Sequence, residues 1–238
     1  MKSQRRQLAV AAASFGIASL SPPLAFAVSD DDEKTPANEK QAEEISATED
    51  LMREHGVLNR ILLVYEEGLR RLREKDDVSP EVFLHSAKLV RKFVEDYHER
   101  LEENFIFPEF EKRKKLVDLV KVLRNQHKAG RAVTDVVLRV AQSDQFRKPD
   151  SRKELVRATE AFIRMYRPHE AREDTVLFPA LHAMVPGEQL AELGEKFEEE
   201  EDRLFGDEGF EKTVEQVAAI EKQLGIDDLA LFTPKVPQ

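Results

Sequence analysis

The chain has no cysteine and no tryptophan among its 238 residues. Without thiols there is no disulfide, no thiolate metal site, no haem attachment of the CxxCH kind and no cysteine nucleophile. Any metal must therefore be held by nitrogen and oxygen. Glycine (9 residues), proline (11) and aromatics (7%) are sparse, while charged residues make up 35%. That balance favours long helices with charged outer faces over a sheet protein. Positive charge is also lacking. The 37 Lys and Arg against 47 Asp and Glu leave a net charge of −10, which argues against a broad nucleic-acid-binding surface. The apolar run from Leu8 to Leu20 is too short to span a bilayer comfortably.

That run belongs to a targeting segment. Lys2, Arg5 and Arg6 precede it, and Ala25-Phe26-Ala27 follows. A basic start, a short apolar stretch and an A-x-A site predict a cleaved secretory signal over 1–27. The pair Arg5-Arg6 has features of the twin-arginine type. The mature chain is then expected in the periplasm or outside the cell, with no stable membrane span. Residues 28–45 are acidic and poor in large apolar side chains, and are expected to be a disordered linker.

Helical periodicity starts near Glu44. A first helix to Glu74 carries the seam Leu51, His55, Leu58, Leu62, Tyr65, Leu69, in alternating steps of four and three. A second is expected from Pro80 to about Phe107, where Pro108 should kink or end it. A third runs from Leu116 to Gln142, and the stretch Ser143 to Ser151 reads as a loop. A fourth starts at Ser151 as N-cap with Glu154 in a capping box. It should kink before His169 because of Pro168, and it extends its seam to Val176. Two more helices, about Glu188 to Phe205 and Phe210 to Leu224, form a C-terminal extension over 186–238. The fold class is all-α, an up-down antiparallel four-helix bundle over 46–185.

Each main helix places one histidine in its apolar seam: His55, His98, His127 and His169. Glu102 and Glu173 follow two of them by four residues, one helical turn further along the same face. The spacings repeat between halves, and both His/Glu motifs run on to Phe-Pro, at Phe107-Pro108 and Phe178-Pro179. Two helical hairpins related by an approximate two-fold axis would bring one histidine pair to each side of a centre shared by two carboxylates. A lone seam histidine is more often a hydrogen-bonded core residue than a ligand, but six matched residues resist that explanation. Buried ionised glutamates are costly unless paired, and metal cations between them remove the cost. Imidazole and carboxylate suit iron, manganese or zinc.

His55, His98-x-x-x-Glu102, His127 and His169-x-x-x-Glu173 resemble the hemerythrin-like, HHE cation-binding proteins. The resemblance covers roughly Thr48 to Val185, and the region from Phe197 to Pro234 is similar to the tail of bacterial single-domain members. It implies a non-haem centre of two iron ions, with Glu102 and Glu173 bridging and four terminal histidines. In one respect the chain departs. Oxygen-carrying hemerythrins have a further histidine where this chain has Arg131, and an aspartate where it has Glu173. Glu99 and Glu170 are candidate substitutes, with a solvated or ion-paired role as the plainer expectation. Tyr166 is a candidate for a hydrogen bond to a ligand or to a bound oxygen species, against the plainer role of core aromatic. His85 and His182 are expected at the surface, and Glu198 to Asp202 as a solvated helix face. The functional expectation is an exported protein that binds O2, NO or peroxide. The alternatives are an enzyme that decomposes peroxide or oxidises iron, an iron store or buffer, and a metal-free helical interaction protein.

Overall fold

A computed structural model of the chain describes residues 46–236. The expected signal over 1–27, the linker over 28–45 and the helix start at Glu44 lie outside the described residues. The rest is mostly helical, with no strand among the described residues. Helix α1 is Ala47–Glu74; Ser46 caps it and forms a capping box with Glu49. Helix α2 spans 80–113, α3 is Val117–Val140, α4 is the short Ser143–Phe146 and α5 spans 149–184. Helices α6 (Gly187–Phe205) and α7 (Gly209–Leu224) follow.

The four long helices run antiparallel, as paired contacts show. Along α1 and α5, Arg73 meets Glu160, Arg167 meets Glu66 and His55 meets Asp174. Along α2 and α3, Arg91 meets Asp135, Arg131 meets Glu99 and Arg124 meets Glu111. The apolar seams fill the centre, where Leu51, Leu62, Phe83, Val90, Leu155 and Phe178 are all fully buried. Helices α6 and α7 cover the outer face of α1 and α2. There Phe205 and Phe210 pack on Phe93, and Arg60 makes a two-pronged ion pair with Glu221. Helix α1 is consequently buried on two sides, which is why Val57 and Val64 are inside as well as its seam.

Several local expectations need correction. Of the two outcomes expected at Pro108, a kink or an end, the end does not occur: α2 continues to Arg113. The widened π-turn Glu102–Ile106 precedes it, closed by Phe107 N–H donating to the Glu102 carbonyl. A wide turn takes up the proline ring and its missing donor without a stop. Helix α5 repeats the device at Glu173–Leu177, before Pro179. Pro168 lies inside the unbroken stretch Pro149–Arg172, so the irregularity falls after His169 and not before it. The extra residue in that turn exposes Val176 and buries Leu177 in its place. The expected loop over 143–151 contains α4, and α5 starts with Lys148 as cap and Pro149 in its first turn, so Ser151 is helical and not the N-cap. Leu116 precedes α3 in a left-handed conformation and is partly exposed.

Candidate metal centre

The six residues singled out in the seams converge. His55, His98, His127 and His169 are all 4% exposed or less, and Glu102 and Glu173 are fully buried. His55 and His98 turn their Nε2 atoms toward one another at 3.1 Å. His127 and His169 do the same at 3.2 Å. The carboxylates link the two pairs. Glu102 Oε2 lies 3.8 Å from His98 Nε2 and 3.3 Å from His127 Nε2. Glu173 Oε2 lies 3.1 Å from His169 Nε2 and 3.4 Å from His55 Nε2. Each glutamate thus reaches one imidazole of either half. Ligand atoms of Glu102, His127, His169 and Glu173, and those of His55, His98 and Glu102, lie within 4.8 Å of one another, close enough to hold an ion in each group.

The outer side of each ring is also held. His98 donates from Nδ1 to Glu54 (2.6 Å) and His55 to Asp174 (2.7 Å). His169 donates to Gln126 (2.9 Å) and His127 to Glu103 (3.1 Å). A proton on Nδ1 leaves the Nε2 lone pair free to face inward, the usual arrangement behind a metal-bound imidazole. These partners follow a rule that the sequence shows once it is known. The residue before the first histidine of each hairpin, Glu54 or Gln126, supports the second. The residue after each shared glutamate, Glu103 or Asp174, supports the histidine across the bundle. The Phe-Pro motifs have a role too. Phe178 stacks on His55 at 5.7 Å between centroids, and Phe107 on His127 at 5.4 Å.

The donor set fits a cation. Both carboxylate oxygens of Glu102 and of Glu173 are buried with no hydrogen-bond partner, a costly state for an anion unless a cation completes it. The nearest polar groups are the imidazole Nε2 atoms, 3.1–3.8 Å away. Burial lowers the basicity of His127, but Glu99 and Glu102 outweigh it and raise its pKa to about 10. At His55 burial is likewise outweighed by Asp174 and Glu173, and the pKa lies well above the usual imidazole value. His98, deeply buried, is lowered to about 4 and stays neutral.

The remaining candidates lie around this centre. Glu99 is buried, ion-paired with Arg131 at 2.7 Å, and accepts from the Tyr166 hydroxyl at 2.5 Å. It is ion-paired, as expected, but not solvated. Tyr166 thus donates to a carboxylate and not to one of the six central residues. Its hydroxyl sits where a Cβ on Gly130 would be, 2.2 Å away, so only glycine fits there. Arg131 also pairs with Glu103 at 2.8 Å. Glu170 is buried rather than solvated. Asn59 donates to it at 2.5 Å, its other oxygen has no partner, and burial raises its pKa to about 8. His85 and His182 are exposed, as expected. The acidic run of α6 is not wholly a solvated face. Glu201 is buried, accepts from Phe210 N–H at 2.6 Å, and clusters with Asp50 and Glu54.

An all-α bundle enclosing four imidazoles and two shared carboxylates defines a cation-binding protein. The chain belongs to the hemerythrin HHE cation-binding domain family, whose family model matches residues 46–181. It is 51% identical over 191 residues to uncharacterized proteins of Mycobacterium bovis and of two strains of Mycobacterium tuberculosis, covering 80% of this chain and 74% of each relative. No solved structure matches it. The family implies metal binding, typically of iron.

Proposed function

We infer that the chain is an exported protein holding two iron ions, with His55, His98, His127 and His169 as terminal ligands and Glu102 and Glu173 as bridges. The observation that carries this reading is the pair of buried carboxylates, each with an oxygen within 3.8 Å of one imidazole of either half and no hydrogen bond to satisfy it. Four nitrogens and four oxygens are fewer donors than two octahedral ions accept, which leaves positions for a further ligand. Burial of all six side chains restricts any such ligand to a small molecule such as O2, NO or peroxide. When bound, the ions supply electrons and open coordination positions to that molecule. The protein's own contribution is to orient the rings through their Nδ1 protons, to exclude bulk water, and to keep compensating charge in place. The basic, apolar and A-x-A pattern of 1–27 supports export to the periplasm or beyond, and 186–238 reads as a helical extension of the metal-binding bundle.

A second reading, decomposition of peroxide, draws on the Tyr166 hydroxyl held beside Glu99 and Arg131, a protonated group one turn from His169. Anaerobic loading with ferrous iron, followed by visible absorption after adding O2, NO or peroxide in turn, separates these. A lasting new band with O2 or NO supports reversible binding. Gas evolution from peroxide supports the enzyme. Iron that binds with no spectral response to any of the three contradicts both and leaves storage.

A further inference from the structure

The two halves of the centre match in their ligands but not in what stands behind them. On the His55/His98 side, both Nδ1 protons go to carboxylates, Glu54 and Asp174. Glu54 is 2% exposed and lies in a buried group with Asp50 and Glu201, their oxygens within 4.8 Å of one another. On the His127/His169 side, one Nδ1 proton goes to the neutral amide oxygen of Gln126. The other goes to Glu103, whose same oxygen also receives the Arg131 guanidinium at 2.8 Å. Arg131 also pairs with the buried Glu99 at 2.7 Å. At the equivalent position of the first half stands Asn59, which is uncharged.

An imidazole that donates to a carboxylate is a stronger base toward a metal than one that donates to an amide, and surrounding anions add to the attraction for a cation. We propose that Glu54, set against Gln126, makes the two metal positions inequivalent, so that the His55/His98 position fills first and favours the ion of higher charge. Glu54 and Gln126 are positioning residues in this scheme, since neither reaches the ions themselves. The proposal rests on the ligand set inferred above. Loss of such a partner typically changes metal affinity by about 10- to 100-fold, and the two positions of the native chain should differ by a factor in that range.

The test is an anaerobic titration of the full chain with Mn2+, followed by calorimetry and by electron paramagnetic resonance. The native protein should show two separable binding events. His98→Ala should remove the tighter event and His169→Ala the weaker one. Glu54→Gln should weaken the tight event by at least about tenfold and bring the two together. Gln126→Glu should bring them together by the opposite route, strengthening the weak event. This second variant keeps the test decisive if Glu54→Gln does not fold, and melting of both metal-free variants checks that the fold is intact. Two native events whose separation neither variant changes would overturn the proposal while leaving the ligand set standing. Fewer than two Mn2+ ions bound by the native chain would overturn the ligand set, and the proposal with it.

Discussion

At Gly130 the absence of a side chain decides where Tyr166 sits. A Cβ there would lie 2.2 Å from the tyrosine oxygen and 2.9 Å from the ring carbon that bears it. Gly130→Ala should cost about 1–3 kcal/mol through overpacking. Adding Tyr166→Phe should recover part of that loss, because the closest clash is with the hydroxyl; thermal melting of the single and double variants measures it. Glu95 gives a pH prediction. It is fully buried, accepts from Thr134 at 2.5 Å and pairs with Arg91 at 3.0 Å, yet burial outweighs these contacts and raises its pKa from 4.5 to about 7. The unfolded chain loses this proton near pH 4.5 and the folded chain near pH 7. The contribution is therefore complete below about pH 4.5 and is lost as pH rises through 7. Glu95→Gln should remove that decline and make the protein more stable than the native chain at pH 8, by up to about 3 kcal/mol. Denaturation at pH 5 and pH 8 checks the difference. The six central residues were legible in the sequence because histidines and glutamates in an apolar seam contradict its pattern. Glu201 was not, because it lies within a continuous acidic run and only the packing of α6 and α7 on α1 and α2 selects it for burial.

Among the helices, α1 depends most clearly on its start. Ser46 accepts from Glu49 N–H while the Glu49 side chain accepts from Ser46 N–H at 2.9 Å. Ser46→Ala should lower stability by about 1 kcal/mol, readable as a shift in the urea midpoint. The existence and order of the long helices followed from periodicity, whereas the short α4 and the course of α2 and α5 past their prolines did not. A proline in a helical pattern signals a break on local grounds, and nothing local announces that a π-turn will precede it. Beside the π-helical stretch Val90–His98 that ends at a central histidine, the two π-turns before the prolines begin at Glu102 and Glu173, so the same widening that admits Pro108 and Pro179 occurs at the carboxylates shared by the centre. The turn then brings Phe107 and Phe178 onto His127 and His55.

For the molecule as a whole, four helices each supply one imidazole, so no fragment with fewer helices gathers the set. Iron should therefore bind the folded state preferentially and raise the melting temperature of the full chain. Among the described residues no helix is long and apolar enough to cross a membrane. The most direct test of the two-ion centre is elemental analysis of the full chain after anaerobic iron loading and desalting, for the native protein, Glu102→Ala and Glu173→Ala. Two iron ions in the native chain and at most one in each variant is the predicted result. Two ions retained in both variants, or none in the native protein, would contradict it.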